Sequence, residues 1–359
     1  MAELIDLKEL EERVLLIAVN AGEEKETKAS LDELEELAQT AGAVPVAQNR
    51  EAVHPGTYLG KGKLLEVREL LARTGATGVI CDDELSPAQL RNLEDVLETK
   101  VMDRTMVILD IFASRAHTRE GKIQVELAQL RYRAIRLVGM RNSLSRLGGG
   151  IGTRGPGEKK LETDRRLIHQ RIGQLKRELE DVKRHREVTR QHREKNYGLT
   201  AAIVGYTNAG KSTLLNKLTG AGILAENRLF ATLDPTTRAF DLADGQQILM
   251  TDTVGFIRKL PHHLIDAFKS TLEEARYSDI VLHVVDCSNP QMDMQMHVVK
   301  ETLEELVTAL KNSHTAKVGI GLGNIYQRIQ TMYQNGGLRI YSKKGRGTVI
   351  QMTIPQEEI

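Results

Sequence analysis

Nine consecutive residues, Gly205-Tyr206-Thr207-Asn208-Ala209-Gly210-Lys211-Ser212-Thr213, set two glycines, a lysine and adjacent hydroxyls in the order that a polyphosphate requires. The glycines let backbone N–H groups of residues 206–213 curl around phosphate oxygens. A helix starting at the end of such a loop adds its partial positive charge. Lys211 would reach the β- and γ-phosphates, and the Ser212 hydroxyl would coordinate Mg²⁺. The flanks suit the motif: residues 199–204 (LTAAIV) read as an apolar strand, and Thr213 to Leu218 reads as a helix ending at Gly220.

Two further segments complete this chemistry. Asp252-Thr253-Val254-Gly255 ends a strand over Gln247 to Met250 that pairs back, across an Asp244-Gly245 turn, with residues 239–242. An aspartate at a strand end can hold Mg²⁺ through water, and the Gly255 N–H can sense a γ-phosphate. Lys211 and Gly255 are therefore the candidate catalytic groups. Between the two motifs lies Phe230-Ala231-Thr232-Leu-Asp234-Pro-Thr236-Thr237-Arg238. This polar, Thr-rich stretch suits a switch loop whose threonine, Thr232 or Thr236, completes the metal shell beside Ser212 and Asp252. An ordinary surface loop is the alternative. Phe256 follows Gly255 and cannot orient an attacking water. No arginine stands out as an arginine finger, and Arg238 is at most a weak candidate.

These loops must be positioned by regular elements. Residues 14–20 (VLLIAVN) read as a buried strand. Residues 30–41 read as a helix with Ser30 as N-cap and Glu33 three residues on. A short strand at 44–47, a helix at 62–74, a strand at 78–81 and a helix from Ser86-Pro87 to Leu97 follow. This alternation predicts an N-terminal α/β domain over 1–105. Residues 106–196 predict a helical hairpin, with continuous helix over 104–145 and again from Glu158 to Lys195. Ile168, Ile172, Leu175, Leu179 and Val182 form a coiled-coil seam. The tip, 147–157, is glycine-rich. A backbone with almost no side chains can approach a ligand or an RNA closely. From Glu158 to Asn196, 13 Lys/Arg face 8 Asp/Glu, and the tip adds Arg154 without an acid.

The 359 residues suggest two or three domains, and a net charge of +1 gives no global bias toward nucleic acid or membrane. Two distant cysteines, Cys81 and Cys287, are too few for a disulfide framework or zinc site, which fits a reducing, cytoplasmic compartment. The acidic first residues are unlike a signal peptide. No apolar run reaches the ~20 residues needed to span a bilayer.

GYTNAGKST, FATLDPTTR and DTVGFI, following GGGIGTRGPGEKKLETDRR, closely resemble the HflX family of translational GTPases over residues 1 to 310. The resemblance implies an α/β fold: an N-terminal α/β domain, a helical hairpin and a P-loop GTPase domain. It implies GTP/GDP and Mg²⁺ as ligands, with ATP as a further possibility. It implies slow intrinsic hydrolysis stimulated by a partner, and binding to the large ribosomal subunit and its rRNA to rescue or split stalled ribosomes. Gly148, Gly149, Gly150, Arg154, Lys159 and Lys160 then become the candidate RNA contacts, and the F-x-T-L pattern favours Thr232 over Thr236 for Mg²⁺. A monomer is expected.

The likeness breaks after the helix expected at Gln291 to Lys311. The guanine-specifying N-K-x-D never appears, so the P-loop domain, 197–312, reads as truncated at its C-terminal end. Residues 313–359 resemble instead the end of a sensor histidine kinase ATP-binding domain. Their closing hairpin is expected at Leu338–Tyr341 and Thr348–Ile354, around Lys344-Gly345-Arg346-Gly347. Two other readings are an RNA- or ribosome-binding module with a vestigial nucleotide site, and an ATP-preferring NTPase.

Overall fold

Strand β1 (Arg13–Val19) is the apolar run at the N-terminus, and every one of its residues after Arg13 is buried. Such a strand needs neighbours on both edges. In the computed structural model it lies inside a sheet of order β2-β1-β3-β4, with β2 at Val44–Glu51, β3 at Gly78–Cys81 and β4 at Lys100–Asp103. All its pairs are parallel. Parallel neighbours need crossovers, supplied here by helices α1 (Glu24–Thr40), α2 (Lys61–Thr74) and α3 (Pro87–Leu97). The structure describes residues 12–19, 24–51, 55–147, 156–196, 199–220, 226, 228–241, 247–260, 274–311, 337–343 and 347–353.

The chain divides into two compact units, Met1–Ser114 with Val125–Arg177, and Arg115–Gln124 with Glu178–Ile359. In the first, Leu15, Ile17, Val79, Leu64, Val67 and Leu93 form the core between the sheet and α2 and α3. Helix α3 opens at Ser86-Pro87 as its sequence suggested, and the structure adds a reciprocal capping box between Ser86 and Gln89.

Two local readings are corrected. Ser30 does not cap a helix: α1 starts six residues earlier, and the Ser30 hydroxyl, buried in mid-helix, donates to Asp82 Oδ2 at 2.6 Å. Glu33 pairs instead with Arg104, a fully buried guanidinium that also bonds Asp82 Oδ1 at 2.9 Å. A side chain with a distant partner mimics a cap in sequence. Nor is 104–145 one helix. It is α4 (Arg104–Arg115) and α5 (Arg119–Leu147), broken at Ala116-His117-Thr118. Thr118 starts the second helix: its hydroxyl accepts from Gly121 N at 3.0 Å and its carbonyl from Lys122 N at 3.0 Å. Apolar periodicity resumes beyond the break, so spacing alone does not reveal it.

Helix α5 is anchored in the first unit on Asp103, whose buried carboxylate accepts from Leu85 N, Met106 N, the Tyr132 hydroxyl and the Arg136 guanidinium. Helix α6 (Pro156–Asn196) pairs Arg171 with Glu126 in the first unit and Arg186 with Glu120 in the second, the register of antiparallel helices. On α6, Leu175 and Leu179 are buried and Ile168, Ile172 and Val182 are half-buried, as the seam requires. The tip, 148–155, lies outside the described residues.

The second unit holds a sheet of order β6-β7-β5-β8: β5 (Leu199–Gly205), β6 (Thr236–Asp241), β7 (Gln247–Asp252) and β8 (Ile280–Val284). β5 is parallel to β7 and β8, and β6 runs antiparallel to β7. Helix α7 (Lys211–Thr219) ends on left-handed Gly220, and Leu215 from it packs on Ala201, Ile203 and Met250. Helix α8 spans Met292–Lys311. Strands β9 (Gly337–Lys343) and β10 (Gly347–Thr353) form an antiparallel hairpin where the sequence placed one. The Asp244-Gly245 turn and residues 312–336 are outside the described set. Among the described residues no helix is long and apolar enough to cross a membrane, and both cysteines are free thiols.

Candidate functional site

The loop between β5 and α7 keeps its shape because small residues occupy its tight points. A Cβ on Gly205 would stand 2.3 Å from the Val284 carbonyl oxygen in the adjacent strand. Asn208 (φ 60°) and Gly210 (φ 89°) turn the chain through the left-handed region, which asparagine and glycine tolerate best. The loop is stitched to the segment after β7: Thr207 N donates to Phe256 O at 2.7 Å and Phe256 N to Gly205 O at 3.1 Å. Phe256 is buried by this pairing, in keeping with its inability to orient water.

Gly255 sits where this stitching leaves no room. A Cβ there would lie 2.4 Å from Thr207 Cα and 2.9 Å from Lys211 Nζ. Lys211 is buried, and its ammonium donates to Tyr206 O at 2.8 Å and Gly205 O at 3.3 Å. Burial pulls its pKa down to about 8, against the opposing pull of the Asp252 carboxylate.

Three oxygen-bearing side chains converge beside it. Ser212 Oγ donates to Asp252 Oδ2 at 2.6 Å and lies 2.9 Å from Thr232 Oγ1. Asp252 is fully buried, and its other oxygen, Oδ1, has no hydrogen-bond partner. Desolvation raises its pKa against the bonds from Ser212 and Thr232 and the nearby Lys211 charge. A buried carboxylate with one idle oxygen and two adjacent hydroxyls is a donor set suited to a hard divalent cation. It is Thr232 that meets Ser212; Thr236 is the first residue of β6, in register with Asp252.

The switch segment folds over the loop. Phe230 N donates to Thr207 Oγ1 at 2.7 Å, and Phe230 is buried with φ 54°. A left-handed phenylalanine costs ~1–3 kcal/mol, so the surrounding contacts must impose it. The resulting cavity is lined by Thr207, Asn208, Gly210, Lys211, Ser212, Thr213, Phe230, Ala231, Thr232, Thr253 and Gly255, all expected from sequence. Gly205, Tyr206, Ala209, Asp252 and Val254 are not part of this lining. Thr253 Oγ1 also ties back to Ile203 O at 2.7 Å.

Two lining residues went unread in sequence: Glu226 and Arg228. Their only signal is proximity to Phe230. Arg238, the weak arginine-finger candidate, is exposed on β6 and bonds Thr237 O. Of the candidate RNA contacts, Gly148, Gly149, Gly150 and Arg154 are outside the described residues. Lys159 and Lys160 fall in the first turns of α6.

The chain matches three family models: "GTP-binding GTPase N-terminal" over residues 28–113, "GTP-binding GTPase Middle Region" over 115–193 and "50S ribosome-binding GTPase" over 200–318. It is 67% identical to GTPase HflX of Lacrimispora saccharolytica, covering 97% of this chain and 90% of that one. It is 48% identical to GTPase HflX of Escherichia coli, covering 84% and 72%. A GTP-binding protein from Sulfolobus solfataricus, solved in complex with GDP, is 25% identical over 82% of this chain and 78% of that chain, with a TM-score of 0.44. The matched models stop at residue 318, and the likeness of the tail to a kinase domain finds no support in them.

Proposed function

The chain belongs to the HflX family of GTPases, and from that premise we propose that it is a magnesium-dependent switch acting on the large ribosomal subunit. It is a P-loop GTPase that binds GTP and GDP. The observation that carries the magnesium reading is the meeting of Ser212, Thr232 and Asp252, with Asp252 Oδ1 idle, beside the phosphate loop. Ser212, Thr232 and Asp252 would hold the magnesium ion, which would supply positive charge to the phosphate oxygens. Lys211 supplies a fixed positive charge to the same oxygens, and the Gly255 N–H meets the γ-phosphate. The backbone of residues 205–213, with Phe230, Ala231, Thr253 and Val254 from the two neighbouring segments, holds the polyphosphate.

Phe256 positions no nucleophile, so turnover stays slow until a partner orders the switch segment. The partner reading rests on the matched model's description as a 50S ribosome-binding GTPase. The glycine-rich tip fits rRNA, with Gly148, Gly149 and Gly150 offering backbone and Arg154, Lys159 and Lys160 offering charge. Rescue or splitting of stalled ribosomes by a cytoplasmic monomer is the role that follows. Co-sedimentation with purified large subunits tests it. Binding is expected with GTP, weakening as salt rises because phosphate contacts release counterions. Absence of binding at low salt overturns the ribosomal role and leaves the GTPase untouched.

The Lys211 pKa gives a second test. Without nucleotide the ammonium loses its proton above about pH 8. Phosphates favour the charged form and raise the pKa again. Binding therefore takes up a proton above that pH, and GDP affinity falls as pH rises from there. Calorimetry at pH 8.5, roughly mid-window, in buffers of different ionisation enthalpy should show net proton uptake. None would mean that Lys211 does not meet the phosphates.

A further inference from the structure

We propose that Asp234 is a positioning residue for GTP hydrolysis, clasped by the start of α5 so that the Thr232 hydroxyl stays at the metal site. Asp234 follows Thr232 by two residues and is not among the residues that line the nucleotide cavity. Oδ2 accepts from His117 N at 2.8 Å and Thr118 N at 2.9 Å, and Oδ1 accepts from the Thr118 hydroxyl. That hydroxyl in turn accepts from Gly121 N. One carboxylate from the switch segment thus satisfies donors at the start of a 29-residue helix, where the helix dipole also favours negative charge.

Gly121 shows that the fit is tight. A Cβ there would lie 2.5 Å from Asp234 Oδ1 and 3.1 Å from Thr118 Oγ1. The helix position itself tolerates alanine, which has the higher helix propensity. The glycine is needed for the approach of the carboxylate. A second tether holds the other end of the segment: Arg115 bonds Glu226 Oε2 at 2.8 Å, and this bond lowers the Glu226 pKa. Between the tethers, Phe230 N is pinned to Thr207. Thr232 is therefore held from both sides, and any partner that shifts the first turn of α5 moves the metal-facing hydroxyl with it.

The inference rests on the magnesium reading above, so the test separates the two. GTP turnover is measured against Mg²⁺ concentration for the wild-type chain, Asp234→Ala, Gly121→Ala, Thr118→Val and Thr118→Ser, with Ser212→Ala as reference. Fluorescent GDP binding is measured in EDTA, and helicity and thermal midpoint are followed throughout. Asp234→Ala, Gly121→Ala and Thr118→Val should each raise the half-saturating Mg²⁺ concentration and lower kcat roughly tenfold or more, as small misplacements of an active-site group do. GDP affinity in EDTA should hold, and Thr118→Ser, which keeps the hydroxyl, should restore wild-type behaviour. Gly121→Ala is the decisive variant, because it removes no bonding group, and the higher helix propensity of alanine offsets part of the loss of the clasp in the thermal midpoint. Unchanged Mg²⁺ dependence in Gly121→Ala, with Ser212→Ala shifted, overturns the clasp alone. Unchanged dependence in Ser212→Ala as well overturns the magnesium reading beneath it.

Discussion

Replacing Lys211 by methionine should lower GTP turnover by ~10²–10³-fold, the effect of removing a preorganised charge from a transferring phosphoryl group. The thermal midpoint of the nucleotide-free protein should hold or rise. The two readouts move apart because the ammonium is buried without a phosphate to meet. Its pKa falls from 10.5 to about 8, so the folded state disfavours the charged form. Below pH 8 that costs about 3 kcal/mol of folding stability, and the cost fades as pH rises toward the unfolded value. Methionine keeps the apolar stem and removes this cost, at the loss of two bonds to Tyr206 O and Gly205 O. Steady-state turnover and a thermal melt at pH 7 check both halves. Unchanged turnover would place the chemistry elsewhere, and a large fall in the midpoint would show that the ammonium is structural.

Gly255→Ala should instead lower both quantities. Its methyl would meet backbone, Thr207 Cα at 2.4 Å and Thr207 N at 2.8 Å, and backbone does not swing aside. The loop and the segment after β7 must part, straining the bonds between Thr207 and Phe256 and between Phe256 and Gly205. Overpacking of this kind costs ~1–3 kcal/mol, and GTP turnover should fall ~10²-fold or more through the lost geometry. Gly173→Ala on α6, where no atom lies within 4 Å of the added carbon, is the control and should stabilise by up to ~1 kcal/mol. A Gly255→Ala protein with normal turnover and midpoint would contradict the close approach.

What could be read from sequence was what local spacing encodes. Gly205 to Thr213 and Asp252 to Gly255 carry their chemistry in residue type and order, and the structure gathers Ser212, Thr232 and Asp252 as their types suggested. The seam through Leu175 and Leu179 is likewise written in its period. What could not be read depends on partners far along the chain. Ser30 looks like a cap until Asp82 is placed beside it. Thr118 looks like mid-helix until Asp234 arrives. Glu226 and Arg228 have no motif; only the folding of the switch segment over the phosphate loop brings them to the cavity wall. The N-terminal network of Arg104, Asp82 and Glu33 is hidden for the same reason, since nothing local announces that a guanidinium will be buried.

The bond between Thr118 and Asp234 spans 116 residues, and this separation orders events during synthesis. At ~5–20 residues per second, the first turn of α5 waits several seconds at least for the aspartate that completes it. Closing so long a loop also carries an entropic cost that grows with the logarithm of its length, so it is favourable only once intervening structure has shortened the path. The β5–β8 sheet should therefore assemble before its contact with α5 forms. A nascent chain paused before residue 234 should exchange the amide hydrogens of Thr118 and Gly121 faster than the finished protein does.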